Sequence, residues 1–328
     1  MIATRDAIKA VLSLTIAGVF MWSAFHSVDL PEVWDVLLRT NALWVFGGWL
    51  LVILATYPRA YRWRSLIYPV LPDVPITTLF RAILIGYAGN NLIPRAGEIA
   101  KILAVDRDPD KMSSLLATVA IERLIDLIVV IAMFAGVMFL IRDKLETAFP
   151  GMAQMVTSAS ILISLVAVAL AILSVKGDRI ADAVEPRATS PRLIKLISLG
   201  RAFLEGTKAV RTPGGYLSIF AWTFWLNAAY VGAIYLPFLG FGFTGKYGLD
   251  FVDAIVVTTI STLGIIIPTP GGAGTYHYFC SRALNGLYGI PLEEALAFAT
   301  VVHGLIFFGF LLIGGPGLIA LIWRKPKS

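Results

Sequence analysis

The stretch 89-GNNLIPRAGEIAK-101 packs two asparagines, a proline, two glycines, an arginine, a glutamate and a lysine between two hydrophobic runs. Proline removes a backbone donor and glycine loosens the chain, so a helix passing through here is expected to break. Elsewhere the chain is strongly apolar. It has 328 residues, of which 58% are hydrophobic and 15% charged, with a mean hydropathy of +0.80. A soluble domain carries about 25% charged residues. Several apolar runs approach the roughly 20 residues a spanning helix needs, and the short alternating segments of a membrane barrel are absent. The expected fold class is all-α, a polytopic transmembrane helical bundle forming a single domain over 1–328.

Full spans are expected at 8–26, 42–58, 113–141, 157–175, 216–239 and 295–323. Two further apolar regions, 76–105 and 251–287, are each interrupted near the middle by a Pro/Gly cluster. The N-terminal run from Val11 to Phe25 follows Arg5 and Lys9 without a clear cleavage site, so it reads as an uncleaved first helix. Charge orients the spans. The 27–41 loop sets Arg39 against Asp29, Glu32 and Asp35, whereas 58–75 sets Arg59, Arg62 and Arg64 against Asp73. The 176–215 loop is rich in Lys and Arg and contains 193-LIKLISLGRAFLEG-206, an expected amphipathic surface helix. The positive-inside rule then puts 58–75, 176–215 and both termini in the cytoplasm. Trp22, Trp34, Trp44, Trp49 and Trp63 read as interfacial belts.

The two interruptions resemble each other. Pro94 and Pro268, and likewise Gly97 and Gly271, stand 174 residues apart. Six full spans fit this orientation only if each broken region returns to the side it entered, the first from the cytoplasm and the second from outside; opposite entry sides at a constant offset are what an inverted-topology repeat predicts. The expected repeats are about 42–141 and about 216–323, each holding a broken or re-entrant helical hairpin. Unwound backbone at membrane depth survives only inside protein or against a watery cavity. Pro94 and Gly97 are therefore expected to face a common interior with Pro268, Pro270, Gly271, Gly272 and Gly274. Two helix N-termini pointing there would favour an anion. The plainer reading of both clusters is kinks or surface loops.

The third span carries 121-IERLID-126, placing Glu122, Arg123 and Asp126 within a run that continues without charge to Ile141. Each such charge costs about 2.5–3.5 kcal/mol at a helix centre, so these residues must face partners or water. One reading is a salt-bridge network to Arg95, Glu98 or Lys101; the other is a polar cavity for a headgroup. Arg95 and Lys101 suit an anionic ligand, although Glu98 could instead pair with Lys101. Asn90 and Asn91 could bind a ligand or cap a helix. Tyr276 and His277 follow the second break; a packed, hydrogen-bonded histidine is the plainer reading. His26 and His303 stand alone and receive no role. The expected substrate-binding set is thus Asn90, Asn91, Arg95, Glu98, Lys101, Glu122, Arg123, Asp126, Tyr276 and His277. No metal-ligand, phosphate-loop or nucleophile–base motif is present, and the single cysteine, Cys280, excludes an intramolecular disulfide. No cofactor, metal, catalytic residue or nucleic-acid partner is expected.

At these residues the sequence resembles the lysylphosphatidylglycerol synthase transmembrane-region, or flippase-like, family. The resemblance rests on N-x-x-P-x-x-G-E-x-x-K (Asn91 to Lys101), E-R-x-x-D (Glu122 to Asp126) and P-x-P-G-G-x-G (Pro268 to Gly274). It departs from the family pattern at His277, where an acidic residue is common, and at Lys101, where arginine is common. A proton or cation role is therefore not carried onto His277. The aminoacyl-transferase domain of the bifunctional members is not expected here. The resemblance implies a non-enzymatic lipid transporter or flippase of the bacterial inner membrane, moving an anionic or aminoacylated headgroup through a polar intramembrane cavity. Three other readings remain. They are an ion-coupled small-solute carrier, a non-transporting membrane partner of a lipid-modifying or glycosylating enzyme, and, more remotely, an intramembrane hydrolase using Ser261 and His277. Homo-oligomerisation is compatible with each.

Overall fold

A computed structural model of the chain describes residues 2–148 and 213–323, with a few isolated positions between them. The expected span 157–175 and the 193–206 helix of the 176–215 loop lie outside these continuous segments, as does the basic tail. Every regular element among the described residues is helical. The helices are α1 (Ile2–Phe25), α2 (Leu30–Arg39), α3 (Ala42–Leu54), α4 (Thr56–Ile67), α5 (Ile76–Leu92), α6 (Ala96–Val105) and α7 (Pro109–Ala148). After the interval come α8 (Pro213–Gly240), α9 (Phe243–Lys246), α10 (Phe251–Ile266), a 3₁₀ turn (Pro270–Gly272), α11 (Thr275–Tyr288) and α12 (Leu292–Trp323).

Four segments are long and apolar enough to cross a membrane: Ala42–Ile67, Pro109–Ile141, Gly215–Gly240 and Leu292–Trp323. The bent pair Val11–Phe25 and Leu30–Arg39, with 82° between its arms, makes a fifth if taken as one span. The protein is therefore an integral membrane protein. The stretch expected as a connecting loop at 27–41 is mostly α2, which packs on α12. Leu30, Trp34 and Leu38 lie exposed on one stripe of α2, Glu32, Asp35 and Arg39 lie exposed on a second, and Val33 is buried on the third. At 3.6 residues per turn these stripes stand about 120° apart. Such a three-way division fits a helix lying along a membrane surface, with lipid, water and protein each on one side.

One expectation fails at 58–75. The span expected at 42–58 does not stop at Pro58 but continues through α4 to Ile67. Pro58 sits in the first turn of α4, where its missing N–H is tolerated. Ala55, between α3 and α4, keeps right-handed helical torsions. Arg59, Arg62 and Trp63 are consequently buried rather than cytoplasmic or interfacial, and Arg64 is the one arginine of the three left exposed. The positive charge used to orient this region is largely inside the protein.

Both interrupted regions fold as helical hairpins. In the first, α5 and α6 are joined by a turn at Ile93–Arg95. Pro94 fixes its own φ and Arg95 adopts φ 66°, the only non-glycine residue in that region of torsion space among the described residues. Gly86 and Gly89 on α5 meet Gly97 on α6 at backbone contact, and a Cβ on Gly97 would collide with the Gly86 carbonyl. In the second, α10 and α11 flank a break in which Gly271, Gly272 and Gly274 take φ of 56°, 81° and 78°. Gly264 on the first arm lies against the Thr275 and Tyr276 backbone. The threonine hydroxyl lies 2.5 Å from the Gly264 carbonyl and ties the arms together. Behind the first hairpin lies a core of Trp63, Leu66, Leu79, Ile83, Ile102 and Leu115. Behind the second lies an aromatic core built on Phe238, Phe243 and Phe298.

The hairpin contact gives a stability prediction. Gly97→Ala forces a methyl into the Gly86 backbone and should cost about 1–3 kcal/mol, read as a lowered thermal midpoint in detergent. Gly136→Ala on α7, where a Cβ meets nothing within 4 Å, should leave the midpoint unchanged or raise it.

Candidate functional site

The charges expected at membrane depth converge where α4, α6 and α7 meet. Arg59 and Arg62 stand three residues apart on α4 and so share a face. Glu122 and Asp126 stand four apart on α7 and share another. Arg59 bridges both acids, with Nε 2.8 Å from Glu122 Oε1 and Nη2 2.8 Å from Asp126 Oδ2. Arg62 Nη2 lies 2.5 Å from Asp126 Oδ1 and 3.5 Å from Glu122 Oε1. The second oxygen of Glu122 accepts from the Lys101 ammonium of α6. Glu122 is 1% exposed and the Arg62 side chain 0%, so the acid spends all its charge on protein cations.

The surround completes the cage. Arg59 Nη1 donates to Tyr87 Oη at 2.9 Å and Tyr230 Oη at 3.4 Å, and the two phenols lie 3.1 Å apart. The Lys101 ammonium sits 4.0 Å from the centroid of the Trp63 ring, an attractive cation–π placement. The Trp63 indole in turn donates to Thr118 on α7 at 3.1 Å. At the more open edge, Arg123 pairs with Glu98 of α6, and its Nη1 lies 3.8 Å from Asp126 Oδ2. Glu98 therefore reaches across to α7, and Lys101 pairs with Glu122 rather than with Glu98.

Among the described residues, Arg59, Arg62, Lys101 and Arg123 face Glu98, Glu122 and Asp126, an excess of one positive charge in the cluster. Beside it is a cavity of about 20 Å³ lined by Arg59, Tyr87, Asn90, Glu98, Lys101 and Arg123, among others. A water needs about 10–15 Å³ measured this way, so the space holds a water and no headgroup. No group of side chains suited to a metal ion occurs among the described residues.

The remaining expected residues divide. Asn90 lies at the cavity, and its Oδ1 accepts from the Gly97 N–H at 2.9 Å, capping the first turn of α6. Asn91 reaches the other way: its Nδ2 donates to the Phe307 carbonyl of α12 at 2.8 Å, and its Oδ1 borders Gly271. The two breaks thus meet at Asn91 and Gly271. Arg95 is exposed at the turn and has no ion-pair partner among the described residues. Tyr276 and His277 are not brought to the ion cluster; their neighbours are His303 and, for His277, Phe25 of α1. The two helix N-termini do not open onto a common cavity. Asn90 occupies that of α6, and Gly274 at the start of α11 seats on the Ala17 carbonyl of α1.

Four cluster residues went unseen in the sequence: Arg59, Arg62, Tyr87 and Tyr230. The signal lay in the 3-residue spacing of Arg59 and Arg62 beside Trp63, which continues the face of the preceding apolar helix. Pro58 masked it.

Fold and site together define a polytopic helical membrane protein with a buried ion cluster at a broken helical hairpin. The chain belongs to the family described as lysylphosphatidylglycerol synthase TM region, whose model matches residues 10–314, and so to a lipid-related group of membrane proteins. No match was found among curated proteins or among solved structures.

Removing one partner of a buried ion pair costs about 3–5 kcal/mol because it strands the others. Glu122→Leu should therefore destabilise the protein by that order, measured by thermal or chemical unfolding in detergent. Lys101→Met should cost less in the Glu122→Leu background than alone, since the two act on one contact.

Proposed function

We propose that this protein is a lipid transporter or flippase that carries an anionic or aminoacylated headgroup past the ion cluster while the acyl tails remain in the bilayer. The observation that carries the reading is the net positive charge of the ion cluster beside the α5–α6 hairpin, where Arg123 stands at the open edge. A phosphate oxygen brings the missing charge, and arginine meets it with two parallel donors. The role is transport rather than catalysis, in the bacterial cytoplasmic membrane with both termini inside.

The present arrangement is a closed one, because the cavity admits only water. For a headgroup to enter, the α5–α6 hairpin moves away from α4 and α7. The contacts that hold it are the Arg123–Glu98 and Lys101–Glu122 bridges. A lipid phosphate takes the place of Glu98 on Arg123, so entry exchanges one ion pair for another rather than exposing a bare charge to the membrane. Glu122 and Asp126 keep Arg59 and Arg62 fixed throughout. We read the two hairpins as corresponding parts of an inverted repeat over about 42–141 and 216–323. Rocking one repeat against the other, with Asn91 and Gly271 at their contact, would alternate access.

Proteoliposomes containing phosphatidylglycerol test this. Wild-type protein should speed exchange of that lipid between leaflets. Arg123→Gln removes a charge-assisted hydrogen bond worth about 1.5–3 kcal/mol and should slow exchange about tenfold or more. Arg64→Gln, exposed on α4, should not change the rate. Wild-type exchange no faster than empty liposomes, or an Arg123→Gln rate equal to wild type, would refute the proposal.

A further inference from the structure

The wall of the small cavity beside the ion cluster carries more hydrogens than the protein accepts. Asn90 spends its Oδ1 on the Gly97 N–H at 2.9 Å, and the two hydrogens on its Nδ2 meet no acceptor among the described residues. Tyr87 and Tyr230 each accept from Arg59 Nη1, at 2.9 and 3.4 Å, and their oxygens lie 3.1 Å apart. A phenol has one hydrogen, and only one of the pair's two fits between the oxygens. The other has no acceptor among the described residues. Arg123 is a third source of donors. Its Nη1 lies 3.8 Å from Asp126 Oδ2, too far for a hydrogen bond, and its side chain is 50% exposed.

Tyr87, Asn90 and Arg123 all line the cavity. The first two stand three residues apart on α5 and share a face, whereas Arg123 looks in from α7. The Tyr87 ring stacks on Phe310 of α12 at 4.2 Å, and the Gly97 bond pins the Asn90 amide, so both groups are held in place before anything binds. Among the side chains lining the cavity, the second oxygen of Glu98 is the acceptor left unshared. Water answers this inventory poorly, because it brings two hydrogens of its own. A phosphate oxygen brings lone pairs and charge but no hydrogen.

We propose that Tyr87 and Asn90 are phosphate ligands of this site, acting together with Arg123. One phosphate oxygen displaces the cavity water and accepts from the Asn90 amide and the Tyr87 hydroxyl, while Tyr230 donates to Tyr87 behind it. A second oxygen turns to Arg123, so the phosphate spans the gap that opens as the α5–α6 hairpin moves away from α7. Neutral donors suit the place. One phosphodiester charge matches the cluster's excess of one, and further cations would overshoot it. A lipid headgroup as the source of the phosphate rests on the transport reading; the donor set does not.

Full-length protein in mild detergent would be incubated with an equimolar mixture of phosphatidylglycerol and a phosphate-free glucosyl diacylglycerol, and the retained lipid identified by mass spectrometry. Wild type should retain phosphatidylglycerol in preference by about tenfold or more. Asn90→Asp still offers an oxygen to Gly97 but turns the free donors into an acceptor. Tyr87→Phe keeps the ring on Phe310 and drops only the hydroxyl. Each should lower phosphatidylglycerol retention about tenfold and leave glycolipid retention unchanged, whereas damage to the fold would lower both. Inorganic phosphate should raise the thermal midpoint of delipidated wild type less than phosphatidylglycerol does. No preference in wild type, either variant retaining phosphatidylglycerol as wild type does, or an equal midpoint with inorganic phosphate would each overturn the proposal. Retention is measured without movement. Wild type that holds the lipid through these residues but does not speed its exchange refutes transport alone. Faster exchange, with retention unchanged in Asn90→Asp and Tyr87→Phe, refutes only the two phosphate ligands.

Discussion

Glu122 can exist in this protein only because three cations surround it. A carboxylate at membrane depth has no water to hold it, and the penalty for leaving it bare exceeds what any single contact returns. The sequence meets this by drawing partners from two other helices, Arg59 and Arg62 from α4 and Lys101 from α6. Each partner constrains the chain. Arg59 and Arg62 require α4 to remain helical beyond Pro58. Lys101 requires α6 to turn back beside α5. The hairpin and its break follow from the need to bring an ammonium to a buried acid.

The break raises the same problem for backbone groups. A reversal inside an apolar medium strips helix ends of their partners, so they must be found locally. Asn90 supplies one at Gly97, and the Thr275 hydroxyl supplies another at Gly264 and Gly272. Glycine at the arm contacts lets the backbones approach closely enough for these short side chains to reach. The two hairpins solve the reversal with different residues, yet both place a glycine of the first arm against the backbone of the second.

The general plan was legible because apolar runs and Pro/Gly clusters act locally. Residues 251–287 became α10, a break and α11 nearly at the expected limits, and the α5–α6 break fell at Pro94. Pairings were less legible, since they depend on which helices become neighbours. Glu122, Asp126 and Lys101 could be named from their depth alone. Arg59 and Arg62 were assigned to a cytoplasmic loop because positive charge after a proline has two physical readings, and only the packing of α4 on α7 separates them. Tyr276 and His277 were grouped with the ion site through the resemblance of the two breaks. The structure puts α1 and α12 around them instead, and neither helix carries a sequence mark of that contact. His303, which looked isolated, gains a partner only through folding.

The surface helix α2 has a mechanical consequence. The crossing segments run from 26 to 33 residues, which is about 39–50 Å of helix against a hydrocarbon layer of about 30 Å. They are overlong, so by themselves they would let the protein slide and lean to match bilayers of different thickness. A helix with one oily, one acidic and one protein-facing stripe tolerates little such sliding, because any vertical shift buries Glu32 and Asp35 or lifts Trp34 into water. Through its seat on α12 it works as a waterline. Changes in bilayer thickness must then be absorbed by tilting about this fixed level, at the far ends of the long helices.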